Sequence, residues 1–306
     1  MPPRTAPGSA TYDAIVIGGG PAGLSAALIL GRCRRNILVC DSGQPRNAKS
    51  QAMHGFLTRD GIPPGEFLRL AREEVARYGV EVLLRQAVAA EPTHGGFEVT
   101  LSDGRKLTCR KLLLATGVVD RLPEVEGAKE LYGRSLFHCP YCDGWESRDL
   151  PLAVYGADHG SVGLALGLKT WSPDVVLCTG GRRLATVEAA RLRENGIPVR
   201  REKVLRFQGS DGRLERIVFA AGDPLERRAA FFHSGAHQKS PLAEHLGCDF
   251  DRRGSVRTNK LEGTRVPGLY VAGDASDDVQ LVVVAAAEGA KAGFAINAAL
   301  QKETLE

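Results

Sequence analysis

The chain is short of the features that would place it in several common functional classes. Its longest apolar runs, such as Val279 to Ala287, fall well below the roughly 20 residues that a bilayer-spanning helix needs. It has no basic face with interleaved aromatics. Its 40 basic and 36 acidic residues are spread throughout, for a net charge of +4, so no nucleic-acid partner is expected. The opening MPPRTAPGSATYD lacks a hydrophobic stretch and reads as a polar lead-in, not a secretory signal. Seven cysteines make an odd set without framework spacing, which argues against a secreted disulfide scaffold. A Cys₄ zinc site would need two close cysteine pairs, and only one is present, so no metal is expected. These absences together predict a cytoplasmic protein with no membrane partner.

What the chain does contain is enough for two domains. It has 306 residues, 43% of them hydrophobic. Tyr12 to Ile17 reads as a short buried strand. It is followed by Gly18-Gly19-Gly20-Pro21-Ala22-Gly23 and then the helical run LSAALILGR. That is G-x-G-x-x-G with a strand before it and a helix after it. Gly18 permits the tight turn, Gly20 lets the backbone approach a pyrophosphate, and Gly23 lets helix and strand pack closely. A second strand, Asn36 to Cys40, ends at Asp41, 18 residues beyond Gly23, where an acid can hold a ribose hydroxyl. The polar loop from Gly43 to Pro64 carries Arg46, Asn47 and His54, any of which could touch a cofactor.

Further on, Glu66 to Tyr78 predicts an amphipathic helix and Val80 to Leu84 a strand. Phe97 to Leu101 and Lys106 to Cys109 read as a hairpin around Ser102-Asp103-Gly104. Lys111 to Ala115 reads as another buried strand, ending Ala115-Thr116-Gly117, where the glycine suits a close approach of backbone to a cofactor. Residues 118–135 carry Pro and Gly and read as a connector between domains.

The segment Cys139-Pro140-Tyr141-Cys142-Asp143-Gly144 is the chemical centre of the sequence. Two thiols three positions apart can close a small disulfide ring and reopen it. A helix starting there would favour the thiolate through its dipole, and the adjoining acid can carry the proton that thiol exchange must move. Cys33, Cys40, Cys109, Cys178 and Cys248 sit singly in apolar segments and read as small buried hydrophobes.

A second strand–turn–helix unit follows the dithiol. Pro151 to Tyr155 is its strand, Gly156 to Gly163 the turn and Leu164 to Trp171 the helix. Asp174 to Cys178 is the next strand and Ala185 to Glu194 the next helix. Val199 to Phe232 reads as antiparallel strands. Gly268 to Ala272 is a buried strand leading to Gly273-Asp274. A last small-residue helix runs from about Val279 to Leu300.

Four blocks in this order, GGGPAG at 18–23, ATG at 115–117, CPYCDG at 139–144 and VAGDAS at 271–276, make the chain resemble the low-molecular-weight thioredoxin reductase family over nearly its whole length. The resemblance implies an α/β fold of two Rossmann-like three-layer ββα domains, the second inserted into the first. Residues 1–119 and 239–306 would form a discontinuous FAD-binding domain, and 120–238 a central NAD(P)H-like domain carrying the dithiol. FAD would be held by Gly18, Gly20, Pro21, Ala22, Gly23, Asp41, Asn47, Thr116, Gly117, Gly273, Asp274 and Gln280. Cys142 would meet the flavin, Cys139 would attack an external disulfide, and Asp143 would be the acid–base residue. A homodimer and a thioredoxin-like protein or small dithiol as partner are also implied.

The sequence departs from that family in its second turn. The family pattern G-x-G-x-x-A starts at Gly156, which places Asp158 where the second glycine belongs. A carboxylate there adds bulk and like charge against a pyrophosphate, at a cost on the order of several kcal/mol. NADPH-using members carry a His-Arg-Arg run after the next strand, where this chain has Thr179-Gly180-Gly181, with Arg182 and Arg183 displaced beyond it. NADPH is therefore a doubtful cofactor, unless Arg182 and Arg183 rebuild the phosphate site. Members without a nicotinamide donor include cyanobacterial thioredoxin reductase-like proteins and the gliotoxin- and holomycin-type dithiol oxidases. Cys139 to Glu146, CPYCDGWE, is similar to the oxidases' dithiol segment. Those often carry His where Asp143 stands, so the direction of electron flow stays open.

Overall fold

The computed structural model describes residues 11–233, 235–276 and 279–305. The first ten residues of the expected lead-in lie outside them. Contacts divide the chain into two units. One comprises the described residues up to Ala48, Phe56–Val119, and those from His237 on. The other comprises Lys49–Gly55 and Asp120–Ala236.

The first unit begins with β1 (Tyr12–Ile17), α1 (Pro21–Arg32), β2 (Ile37–Cys40), α2 (Pro64–Ala76) and β3 (Glu81–Leu83). β4 (Ala87–Thr93), β5 (Gly96–Leu101), β6 (Lys106–Leu114) and β7 (Val118–Asp120) follow. The sheet order is β3-β2-β1-β6-β5-β4. Successive side chains of the parallel strands alternate between two cores. Ile15, Ile17, Leu112 and Leu114 face the β4–β5 hairpin side, with Phe97, Val99 and Leu101. Ala14, Val16 and Leu113 face the helices, with Leu24, Leu30 and Ile296. Strands buried on both faces lose the polar alternation of a half-exposed strand, which is why they read as continuous apolar runs.

Here β6 corrects the sequence reading. The two expected strands flanking Arg110 are one. Phe97↔Cys109 through Thr100↔Lys106 pair antiparallel with β5, and Tyr12↔Cys109 through Ile17↔Leu114 pair parallel with β1. Arg110 does not break the strand because its guanidinium leaves the sheet for Asp13 and Glu303. β4 was missed.

The second unit contains α3 (Ala128–Leu131), β8 (Leu136–Phe137), α4 (Pro140–Asp143), β9 (Leu152–Tyr155), α5 (His159–Leu168), β10 (Val175–Cys178), α6 (Thr186–Glu194) and β11 (Val199–Arg200). β12 (Val204–Ser210), β13 (Arg213–Phe219), β14 (Leu225–Glu226) and β15 (Ala229–Phe232) follow, and β16 (Ala236–Gln238) spans the boundary back to the first unit. The main sheet of the second unit runs β11-β10-β9-β15-β8, with every pair parallel. One face packs on the β12–β13–β14 meander through Phe207, Ile217 and Phe219. The other packs on α5 and α6 through Val162, Leu168 and Leu192. Each unit thus has parallel strands packed between helices on one side and antiparallel strands on the other, a three-layer Rossmann-like arrangement; in the first unit the antiparallel β4 and β5 continue the same sheet through β6. The stretch expected to be antiparallel from Val199 to Phe232 is so only in the meander, because β11 and β15 join the parallel sheet. The supposed connector at 118–135 is largely packed structure, with Ala128 and Leu131 buried.

The chain re-enters the first unit with α7 (Leu242–His245), β17 (Leu269–Val271) and α8 (Val282–Leu305). β17 pairs with Leu112–Leu114 of β6. By length and composition α8 is apolar enough to cross a membrane, a candidate that the run-length reading missed. One face of it is packed: a Cβ on Gly289 would lie 1.9 Å from the Ala22 carbonyl oxygen, so the glycine is what lets α8 close on α1.

Candidate functional site

In the first unit the fingerprint turn is built as its glycines require. Gly18 has φ +113°, and a Cβ there would meet the Ala115 carbonyl oxygen at 2.1 Å. This brings the GGGPAG and ATG blocks together. Gly20 ends the turn with open space where a Cβ would point, and Pro21 starts α1. Gly20 provides no side-chain cap, so the first N–H groups of α1 are left for a ligand. Gly117 likewise faces open space, with Thr116 beside it at the end of β6. Asp41 lies against Gly19 and accepts from Gly43 N at 3.1 Å and Arg72 Nη2 at 2.8 Å. Arg72 was not foreseen, because nothing on amphipathic α2 marks which of its arginines turns toward a residue 31 positions away. Its Nε is buried without a hydrogen-bond partner.

The last block completes this cradle. Gly273 sits close to Ala22, where a Cβ would be 2.9 Å from the Ala22 methyl. Arg46 Nη1 donates to Asp274 Oδ2 at 2.7 Å and to Gln280 Oε1 at 2.8 Å. Asn47 is half-buried in the adjoining turn. Gly273, Asp274 and Gln280 line a cleft with Val279, Val284, Ala285 and Glu288. Glu288, also unforeseen, is buried at 4% exposure and accepts from Gly273 N at 2.6 Å and Ser276 Oγ at 2.9 Å. An open glycine cradle, an uncapped helix start and an unpartnered buried guanidinium nitrogen fit a large anionic cofactor such as FAD.

In the second unit Cys139 and Cys142 lie with their sulfurs 2.7 Å apart. Cys139 is the N-cap of α4, and Asp143 N donates to its carbonyl at 3.2 Å. The helix is one turn of four residues, so the dipole contribution expected there is slight. The Trp171 ring packs where a Cβ on Gly144 would go, at 2.8 Å, and holds the turn from behind. Burial pushes the Asp143 carboxyl up to about 7, with Cys139 and Glu146 adding to the rise and His54 opposing it. His54 is in this unit, its Nε2 3.4 Å from Glu146 Oε1. It thus lies beside the dithiol turn.

The isolated cysteines divide. Cys40, Cys109, Cys178 and Cys248 are buried, and burial pushes the first three up to about 12, so they stay thiols. Cys33 departs from the expectation: it is exposed at the end of α1.

The second turn of the central unit holds Asp158 as the N-cap of α5, which starts at His159, five residues earlier than expected. Its carboxylate accepts from Ser161 N at 2.8 Å and lies 3.2 Å from His233 Nδ1. Backbone and hydroxyl bonds from Ser161, with His233 and Arg182 nearby, hold it below the usual carboxylate range against the opposing effect of burial. Arg182 folds back, donating from Nε to the Thr179 carbonyl at 3.1 Å and stacking over the Tyr155 ring at 5.2 Å. Arg183 is exposed.

Comparison with known proteins follows the same outline. Residues 12–289 match the family "Pyridine nucleotide-disulphide oxidoreductase". The chain belongs to that family. Thioredoxin reductase tcpT of Claviceps purpurea is 33% identical over 275 residues, covering 86% of each chain. The solved structure of HlmI superposes with a TM-score of 0.91 at 38% identity, covering 96% of this chain and 94% of that one. A TrxB thioredoxin reductase-type protein of Bacillus anthracis gives 0.91 at 35% identity, covering 96% and 99%. This family member is a flavin-dependent disulfide oxidoreductase with thioredoxin reductase-like architecture. Thioredoxin reductase sirT of Leptosphaeria maculans is a further relative, 30% identical over 313 residues.

Proposed function

We propose that the protein exchanges electrons between its flavin and an external dithiol or disulfide through Cys142 and Cys139, and that it uses NADPH poorly. The observation that carries the second half is the Asp158 carboxylate on Ser161 N. It occupies the N–H that a dinucleotide's phosphate would need and adds like charge at the same place.

In the reducing direction the Cys139 thiolate attacks one sulfur of the partner disulfide. One S–S bond forms to Cys139 and the partner's own breaks. The departing thiolate takes the proton of Asp143, which is half-protonated near neutrality. The Cys142 thiolate then attacks Cys139, closing the internal disulfide and releasing the partner's second sulfur, which takes a proton from water. The partner gains two electrons and two protons, and the Cys139–Cys142 pair loses two electrons. When bound, the flavin supplies or accepts that electron pair. The oxidising direction is the same sequence reversed.

The family likeness supports a thioredoxin-like protein or a small dithiol as partner, and the reading includes a homodimer in the cytoplasm. An anaerobic titration of the flavin spectrum with NADPH, NADH and dithiothreitol tests the reading. Dithiothreitol is expected to bleach the flavin and micromolar NADPH is not; rapid bleaching by NADPH overturns it.

A further inference from the structure

Around the dithiol turn the structure gathers two polar side chains, His54 and Glu146, that the exchange chemistry above does not use. Lys49–Gly55 lies in the second unit although its neighbours on both sides in sequence do not. The segment is held there by Lys49 Nζ on the Lys129 carbonyl at 2.9 Å and by the packing of Lys49 on Gly133. Met53, 5% exposed, fixes the residue before His54. His54 is thereby placed with Nε2 3.4 Å from Glu146 Oε1, and Glu146 is three residues from Asp143. The chain from Asp143 onward continues as turns, with Ser147 N donating to the Asp143 carbonyl at 3.2 Å, so Glu146 stays on the same small coil as the acid.

We propose that His54, seated on Glu146, is a positioning residue for thiol exchange that acts through Asp143 as that acid passes its proton. This rests on the acid–base role given to Asp143 above. The charged groups acting on Asp143 are Cys139 at the start of its own turn, Glu146 beyond it and His54 from the 49–55 segment. From α5 and its following turn the neighbour is the Trp171 ring, which packs on Gly144 and carries no charge. Cys139 and Glu146 favour the protonated acid and His54 favours the carboxylate.

The test follows two pH profiles of the flavin-loaded enzyme: turnover in the disulfide-reducing direction, and the rate at which iodoacetamide alkylates the reduced dithiol. His54→Gln is expected to move the limb assigned to Asp143 upward by about half a pH unit, and Glu146→Gln to move it downward by a similar amount. His54→Arg, which keeps a cation in place, is expected not to raise it. This variant also separates loss of charge from loss of fold, and circular dichroism with flavin content checks that each variant is intact. If the limb vanishes in Asp143→Asn but stands still in the His54 and Glu146 variants, only the role of His54 is overturned. If the limb persists in Asp143→Asn, the assignment of Asp143 itself fails, and this inference with it.

Discussion

Asp158 turns its carboxylate onto Ser161, taking the backbone N–H at 2.8 Å and the hydroxyl at 3.2 Å. One side chain thereby caps α5, and in the function proposed above it also closes that turn to a dinucleotide. The two roles separate by substitution. Asp158→Ala removes the cap and is expected to cost about 1 kcal/mol in urea unfolding. Asp158→Gly is expected to cost only a few tenths of that and to let NADPH bleach the flavin faster than in the parent. An Asp158→Gly protein with the parent's indifference to NADPH would remove Asp158 as the obstacle.

The two thiols are expected to be unequal. Cys139→Ser should abolish turnover with an external disulfide while leaving Cys142 to give a thiolate–flavin absorbance band. Cys142→Ser should lose both. Unchanged reactivity of the flavin toward dithiols in both variants would make the pair irrelevant to the chemistry.

Asp143 gives a stability signature that needs no substrate. Its folded-state value is raised from 3.8 to about 7, mainly by burial. The folded state therefore holds the proton more tightly than the unfolded chain does. The stability this contributes is fully present below pH 3.8 and is lost as pH rises through about 7. Asp143→Asn, a neutral mimic of the protonated acid, should match the parent near pH 4 and exceed it in thermal stability at pH 8. A parent that is the more stable at pH 8 would mean that the carboxylate is not penalised by its surroundings.

Glu288 ties the VAGDAS turn to α8 through Gly273 N and Ser276 Oγ. Glu288→Leu leaves that buried N–H without an acceptor, at a cost of roughly 1–3 kcal/mol. Flavin retention after gel filtration should fall with it, because the turn carries Asp274. Full retention at unchanged stability would show that the turn holds itself.

How much of this was legible beforehand depends on the range of the interactions involved. The GGGPAG turn could be read because three glycine roles fall within six residues, and the structure shows the contacts that demand them at Gly18 and Gly23. The dithiol and its acid are likewise adjacent in sequence. Arg72 on Asp41, Arg46 on Asp274 and Glu288 on Gly273 could not be read. They are single polar residues on amphipathic or small-residue segments, and only packing decides which way each side chain turns. His54 was one polar loop residue among several until the 49–55 segment was seen to lie with the second unit.

By itself the sequence determined the two nucleotide-type turns, the closely spaced pair of thiols and the alternating burial of each parallel strand, because these are set by local backbone freedom and side-chain periodicity. The tertiary structure decided that Asp143 is an acid poised near neutrality, that Asp158 is engaged by a helix end, and that a distant histidine stands next to the dithiol turn. Those properties come from burial and from charges brought together across long stretches of chain. No window of sequence contains either.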